Sequence, residues 1–276
     1  MVKSIEDTTT LHNGVKMPWF GLGVYKMEEG KEVVESIKTA IDLGYRSIDT
    51  AALYLNEEGV GQAIKESSVP RDELFITTKV WNSDQGYDST LAAFEESISK
   101  LGLDYIDLYL IHWPVKGKYK DTWKALEKLY KDGRVRAIGV SNFQIYHLQD
   151  IFEDCEIKPM VNQVEYHPKL TQKELQTFCE QHHIQLEAWS PLMKGQVLSE
   201  EIIVQIAEKY QKTPAQVVLR WDLQNRVVTI PKSVTPTRIK QNAEIFDFEL
   251  TVEEMQAIDQ LNENKRTGAD PDNFDF

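Results

Sequence analysis

The sequence predicts an α/β protein folded as a (β/α)8 TIM barrel, preceded by a β-hairpin and followed by one extra helix. Strand-like runs alternate with helical patterns eight times, and no long linker or low-complexity stretch interrupts them. Barrels of about 250 residues are ordinary single domains. We therefore expect one domain over residues 1–276.

The elements follow in order along the chain. Asn13-Gly14 supplies the positive φ angles of a tight turn, so residues 10–17 are predicted to form the hairpin. Apolar residues at three- and four-residue spacing, such as Val33, Ile37 and Ile41, indicate the first helix. The predicted strands cover residues 20–24, 46–49, 74–79, 106–112, 135–140, 159–165, 184–189 and 226–230.

Several helix starts have recognisable signals. Thr171-Gln172-Lys173-Glu174 and Thr251-Val252-Glu253-Glu254 have the pattern of a capping box, in which both ends satisfy free N–H groups. Thr213-Pro214 places proline at the favoured first position of another helix. A doubly wound open sheet is the alternative fold, but Gly59-Val60-Gly61 lacks a third glycine and falls inside the helical pattern 57–66. The barrel is therefore preferred.

Composition limits the possible partners. The net charge of −13 argues against nucleic acid or an anionic membrane as the main partner. The sequence shows no apolar run long enough for a membrane span and no signal-peptide pattern, so we expect a cytoplasmic protein. Because no pattern indicates an interface, we also expect a monomer. His182-His183 near Cys179 have no suitably spaced carboxylate, so no metal site is predicted.

Four side chains with proton-transfer chemistry follow successive strands: Asp49, Tyr54, Lys79 and His112. In a barrel, active residues gather at the carboxyl ends of the strands. A tyrosine with a pKa of about 10 is a poor acid near neutrality, and a nearby ammonium favours its ionised form. We expect Lys79 to act on Tyr54, Asp49 to hold Lys79, and His112 to orient a polar substrate atom.

Seven motifs occur in an order and spacing that resemble a known family. They are residues 44–57, 76–79, 107–114, 138–143, 162–163, 189–192 and 230–233. The chain resembles the aldo-keto reductases, and within them the bacterial glyoxal/methylglyoxal reductases. The resemblance runs from about Thr10 to Leu261.

The resemblance implies an NADPH-dependent enzyme that reduces aldehydes and reactive ketones, such as glyoxal and methylglyoxal. Tyr54 would be its general acid. Matching positions imply a set of cofactor-binding residues: Ser141, Asn142, Gln163, Trp189, Ser190, Leu192, Ile230, Lys232, Ser233, Arg238, Gln241 and Asn242. Lys232 and Arg238 are the candidates for pairing with the 2′-phosphate of NADPH.

The substrate pocket would be walled by Tyr25, Trp81 and Trp113, with His112 on the carbonyl oxygen. Two alternatives stay open within the family: a sugar-acid reductase of the 2,5-diketo-gluconate type, and a nucleotide-sensing regulatory subunit. Phe274 and Phe276 end a tail that either folds over the barrel mouth or stays disordered.

Overall fold

The computed structural model describes residues 2–276. A two-stranded antiparallel hairpin, β1 (Thr8–Thr10) and β2 (Lys16–Pro18), confirms the predicted hairpin. Gly14 has the expected positive φ (89°), but Asn13 does not, because residues 11–15 form a loop longer than the predicted tight turn. Eight parallel strands then form a nearly closed barrel, which confirms the predicted fold. They are β3 (Gly21–Gly23), β4 (Ser47–Asp49), β5 (Phe75–Val80), β6 (Ile106–Ile111), β7 (Val135–Ser141), β8 (Val161–Glu165), β9 (Gln185–Trp189) and β10 (Val228–Thr229).

The barrel closes between its first and last strands. Phe20 pairs with Thr229 in parallel, and the Thr229 N–H donates to the Trp19 carbonyl at 3.1 Å. The eighth strand is only two residues long, shorter than the predicted run 226–230, and Arg226 lies in the left-handed region (φ 59°), outside the strand. Because all eight strands are parallel, their carboxyl ends lie on one face of the barrel.

Helices surround the barrel and cover its strands. Within residues 2–276 they are α1 (Lys31–Asp42), α2 (Glu57–Glu66), α3 (Tyr87–Leu101), α4 (Tyr119–Lys131), α5 (Ile145–Asp154), α6 (Lys173–Gln181), α7 (Glu201–Tyr210), α8 (Pro214–Gln224), α9 (Pro236–Ala243) and α10 (Val252–Asp259). A capping box begins α10 at Thr251, as predicted. Pro214 opens α8, as predicted, and Thr213 adds a capping box there that was not predicted.

The capping box predicted at Thr171 is wrong. Gln172 precedes α6 in the left-handed region (φ 45°), and its side-chain amide donates to the carbonyl oxygen of Glu165 at 2.5 Å. The Thr171 N–H instead donates to Asn262 at 3.1 Å. Contacts with distant parts of the chain therefore replace the local pair that the pattern indicated.

The glycines at 59 and 61 lie inside α2, as predicted, and have a packing role. A Cβ atom at Gly61 would overlap the backbone of Leu101 at the end of α3. A glycine there lets the two helices approach closely.

Candidate active site

Lys79 lies at the centre of a buried polar cluster. Asp49 ends β4, Tyr54 ends a single 3₁₀ turn just after it, and Lys79 comes from the neighbouring strand β5. The Lys79 ammonium donates to Asp49 Oδ1 at 2.6 Å, to the Thr50 carbonyl at 2.9 Å and to Tyr54 Oη at 3.5 Å. All three of its hydrogens thus have acceptors, although the side chain is fully buried.

Asn56 fixes the loop that carries Tyr54. Its side-chain amide donates to the carbonyl oxygens of Val24 and Met27 at 3.0 and 3.2 Å, and its Oδ1 accepts from Thr50 at 2.8 Å. Buried polar groups with all partners satisfied hold a loop in one conformation. Tyr54 is therefore placed by a loop that is tied to two neighbouring segments.

The pKa of Tyr54 is set by two opposing effects. Burial raises it, Lys79 lowers it, and burial dominates, so the Tyr54 pKa rises to about 12. The expected effect of Lys79 is present but smaller than that of desolvation. Tyr54 therefore keeps its proton throughout the neutral range.

His112 follows β6 and faces the same space as Tyr54. The two ring centroids are 5.7 Å apart in an edge-to-face arrangement, and Trp81 lies 5.1 Å from the imidazole. Burial, reinforced by Lys79, lowers the pKa of His112 well below its usual value. The imidazole is therefore neutral near pH 7 and offers one N–H donor.

Gln163 connects the cluster to the far side of the barrel. Its Nε2 donates to Asp49 Oδ2 at 2.7 Å and to Glu187 Oε2 at 2.9 Å. Because β8 lies opposite β4 in the barrel, these side chains meet in its interior. The Gln163 Oε1 accepts no hydrogen bond from residues 2–276 and is the amide atom left for a ligand.

Three further predicted residues lie beside Gln163. Ser141 Oγ donates to the Gln163 carbonyl at 2.8 Å, and the Asn142 amide donates to the His112 carbonyl at 3.0 Å. The Trp189 indole N–H donates to Asn142 Oδ1 at 2.9 Å, and its ring is partly exposed. The residues predicted for the nicotinamide end of the cofactor therefore lie together beside the proton-transfer cluster.

The residues predicted for the adenosine end follow β10 and extend along α9. Lys232, Arg238 and Gln241 are exposed, whereas Ser233 and Asn242 are buried. Neither Lys232 nor Arg238 forms an ion pair with any carboxylate of the described chain. Ile230 approaches β3, and Ser190 and Leu192 follow β9, where Ser190 is left-handed (φ 54°).

The C-terminal tail folds over the barrel mouth, which decides the question that the sequence left open. Phe276 stacks on Trp81 with ring centroids 5.9 Å apart, and its carbonyl accepts from Asn82 at 2.9 Å. Phe274 packs against Trp113 at 5.1 Å. Tyr25, 51% exposed, borders Tyr54 at 4.9 Å. The predicted aromatic walls are thus joined by two aromatic residues of the tail.

Glu165 anchors the start of this tail. Its buried carboxylate accepts from the Thr267 N–H at 2.7 Å, from the Thr267 hydroxyl at 2.5 Å and from the Gly268 N–H at 3.2 Å. A Cβ at Gly268 would overlap the Trp189 ring. The tail thus packs directly on the side chain predicted to meet the nicotinamide.

Sequence reasoning missed the roles of Glu165 and Glu187, and the contact of Asn82 with the tail. The two glutamates lie within predicted strands, where a charged residue is unusual, and that signal was present in the sequence. Nothing local in the sequence indicates that Asn82 meets the tail.

A separate surface groove lies at the other end of the barrel, beside the hairpin. His12, Lys158, His182 and His183 line part of it. None of the predicted site residues borders this groove.

The barrel and its site are those of an NADP-dependent oxidoreductase, as comparison with known proteins shows. The chain matches the Aldo/keto reductase family over residues 20–263 and belongs to that family. It is 67% identical to the glyoxal reductase of Bacillus subtilis (strain 168), and the match covers all of both chains. It is 50% identical to the methylglyoxal reductase DkgA of Salmonella typhimurium, over 96% of each chain.

Two similar solved structures contain NADPH or NADP. A mutant of Gox0644 in complex with NADPH is 50% identical, with a TM-score of 0.93 over 98% of each chain. The Bombyx mori aldo-keto reductase in complex with NADP is 36% identical, with a TM-score of 0.91 over 99% of this chain and 97% of that one. NADPH is accordingly the cofactor of this enzyme. The free Gln163 oxygen, the partly exposed Trp189 ring and two exposed cations without acidic partners fit such a ligand.

No helix within residues 2–276 combines the length and the apolar character needed to cross a membrane.

Proposed function

We propose that the protein reduces small, reactive aldehydes and ketones, with glyoxal and methylglyoxal as leading substrates. One observation carries this proposal: the Tyr54 hydroxyl contacts the Lys79–Asp49 ion pair, and its ring faces His112 across the same space. The aromatic tail narrows that space, which supports a small substrate. The names of the two bacterial relatives support the same substrate class.

The chemistry divides between cofactor and protein. When bound, NADPH supplies the hydride that adds to the carbonyl carbon. Tyr54 donates its proton to the carbonyl oxygen, on which negative charge develops. Lys79 stabilises the phenolate that this transfer leaves behind, and its own charge is balanced by Asp49. The neutral His112 donates a hydrogen bond that orients the carbonyl oxygen.

Each part of the cofactor has proposed partners. Ser141, Asn142 and Gln163 hold the carboxamide of the nicotinamide, and the ring stacks on Trp189. Lys232 and Arg238 pair with the 2′-phosphate. The remaining contacts are proposed for Ser190, Leu192, Ile230, Ser233, Gln241 and Asn242. The single-domain organisation, the monomeric state and a cytoplasmic location stay predictions.

The first test replaces Tyr54 with Phe, which removes only the acidic hydroxyl. We expect NADPH binding to persist and methylglyoxal turnover, followed by the loss of NADPH absorbance, to fall by about 10²–10⁴-fold. Tyr87→Phe is the control, since this hydroxyl lies on the exposed start of α3. Near-normal turnover in Tyr54→Phe would reject Tyr54 as the acid.

The same assay separates the substrate alternatives. A much higher kcat/KM for a diketo sugar acid than for methylglyoxal would favour the sugar-acid reductase. Tight NADPH binding with negligible turnover of every carbonyl would favour the regulatory subunit.

A further inference from the structure

Glu187 is a second carboxyl group buried beside the proposed catalytic cluster. It lies on β9, two residues before Trp189, and has no exposed surface. Its Oε2 accepts from Gln163 Nε2, and its Oε1 has no hydrogen-bond partner within residues 2–276. A buried carboxyl group that forms no ion pair is costly, so its retention calls for a specific role.

The hydrogen bonds of Gln163 indicate that role. One atom of its amide lies within hydrogen-bond distance of both Asp49 and Glu187. Asp49 pairs with the Lys79 ammonium at 2.6 Å and so accepts from its neighbours, which makes that atom the nitrogen. Its two hydrogens are directed to two carboxyl groups, which leaves the oxygen as the one amide atom free to accept a hydrogen bond.

Two bonds constrain this amide where one would not. A single hydrogen bond to Asp49 would let the amide plane turn about that bond. The second bond, to Glu187 on another strand, fixes the plane and hence the direction of Oε1. It also satisfies the second N–H, which would otherwise be buried without a partner.

The protonation of Glu187 suits this arrangement. Burial, reinforced by the nearby Asp49, raises the pKa of Glu187 to about 8. Near neutrality it therefore carries a proton, which the unpartnered Oε1 can hold while Oε2 accepts from Gln163. A neutral Glu187 also avoids placing a second negative charge beside Asp49, whose one counter-ion within residues 2–276 is Lys79.

We propose that Glu187 is a positioning residue for the nicotinamide: through Gln163 it turns an amide oxygen toward the carboxamide N–H of NADPH. This inference rests on the proposed function, because it takes the carboxamide to bind at Gln163. Glu187 itself touches neither cofactor nor substrate. It acts only by fixing the orientation of Gln163.

Two substitutions test the inference. Glu187→Gln keeps the size and the accepting carbonyl of the neutral acid. Glu187→Met has a similar length and no strong acceptor. Binding of NADPH is compared with binding of adenosine 2′,5′-bisphosphate, which carries the adenosine end of the cofactor and no nicotinamide. We expect Glu187→Met to weaken NADPH about tenfold, a typical effect of one lost hydrogen bond, and to leave the bisphosphate unchanged.

The conservative variant should restore the wild-type behaviour. Glu187→Gln is expected to bind both ligands within about twofold of wild type. Equal loss of both ligands in Glu187→Met would assign Glu187 a purely structural role and overturn the inference. Unchanged NADPH binding in Glu187→Met, or equal NADPH losses in the Met and Gln variants, would overturn it as well.

A double-mutant cycle adds an independent test. With Gln163→Met already present, Glu187→Met should weaken NADPH no further, and additive losses would contradict the coupling. If Glu187→Met does not fold, Glu187→Asp replaces it, since its carboxyl group is one methylene too short to reach Gln163. All these measurements record binding without turnover. They therefore test the role of Glu187 independently of the Tyr54→Phe experiment. Normal turnover in Tyr54→Phe would reject only the proposed chemistry.

Discussion

Lys232 and Arg238 are the residues on which the proposed preference for NADPH over NADH depends. Both are exposed, and neither has an acidic partner in the described chain. Replacing both with Gln should raise the Kd for NADPH at least about tenfold, because two charge-assisted contacts to the 2′-phosphate are lost. NADH lacks that phosphate, so its Kd should change little. Fluorescence titration with the two cofactors measures both values.

Lys240→Gln is the matched control for this pair. Lys240 is exposed on the same helix, α9, and its nearest carboxylate, Glu244, is 3.9 Å away. The Lys240→Gln substitution removes one positive charge from α9 and leaves Lys232 and Arg238 in place. Comparable losses for NADPH and NADH in the double variant would contradict the assignment.

At the same scale, the sequence predicts which residues form the proton-transfer cluster better than it predicts their properties. Asp49, Tyr54, Lys79 and His112 each follow a strand, and parallel strands in a barrel bring their carboxyl ends together. The pKa of Tyr54 depends on how much protein surrounds its hydroxyl. That burial arises from residues far apart in sequence, so the dominance of desolvation over Lys79 could not be predicted.

Among the elements, local signals succeed where nothing distant competes with them. Thr251 caps its helix as predicted, because its partner lies three residues ahead, and Pro214 opens α8 as predicted. At Thr171 the same pattern fails, since Asn262 and Glu165 offer other partners to the backbone and to Gln172. The sequence likewise does not predict the path of the C-terminal tail, because the tail contacts residues far away along the chain.

The C-terminal tail is the element that we expect to select substrates by size. Phe276→Ala removes the ring that stacks on Trp81 and contacts Trp113 at 5.2 Å. The KM for methylglyoxal should rise a few-fold because the pocket becomes wider and more hydrated, and bulkier aromatic aldehydes should gain in kcat/KM. The Kd for NADPH should stay the same. Steady-state kinetics on a series of aldehydes measures these changes.

Asp275→Ala is the control within the tail, since this exposed side chain forms no hydrogen bond in the described structure. An unchanged order of preference among aldehydes in Phe276→Ala would show that the tail does not limit the pocket. A large loss of NADPH affinity would instead show that the tail acts on the cofactor, through its contact with Trp189.

For the whole molecule, the buried carboxyl groups oppose stability at alkaline pH. Glu187 and Asp222 are both fully buried, and burial raises the pKa of each. In the unfolded chain a glutamate has a pKa of about 4.3. Between that value and about 8 the folded protein therefore holds a proton on Glu187 that the unfolded chain releases. Its contribution to stability is greatest in acid and is lost as the pH rises toward 8.

Glu187→Gln isolates this effect, because glutamine has no proton to lose. The free energy of unfolding of the variant minus that of wild type should increase from pH 5 to pH 8, by on the order of 1 kcal/mol per pH unit. It should level off above pH 8, where Glu187 is ionised in both states. Asp222 is present in both proteins, so its contribution cancels in the difference. Urea unfolding at several pH values gives the two free energies.

Glu58→Gln is the matched control, since it removes a carboxyl group from the exposed face of α2. A pH-independent difference for Glu187→Gln would mean that Glu187 is ionised in the folded protein, against the protonation inferred above. The expected result would instead show that the fold gives up stability to keep a neutral acid in its interior. Functional sites often contain polar residues that make the protein less stable than apolar residues would. The same Glu187→Gln variant is expected to bind NADPH normally, so stability and cofactor positioning can be measured separately at this one residue.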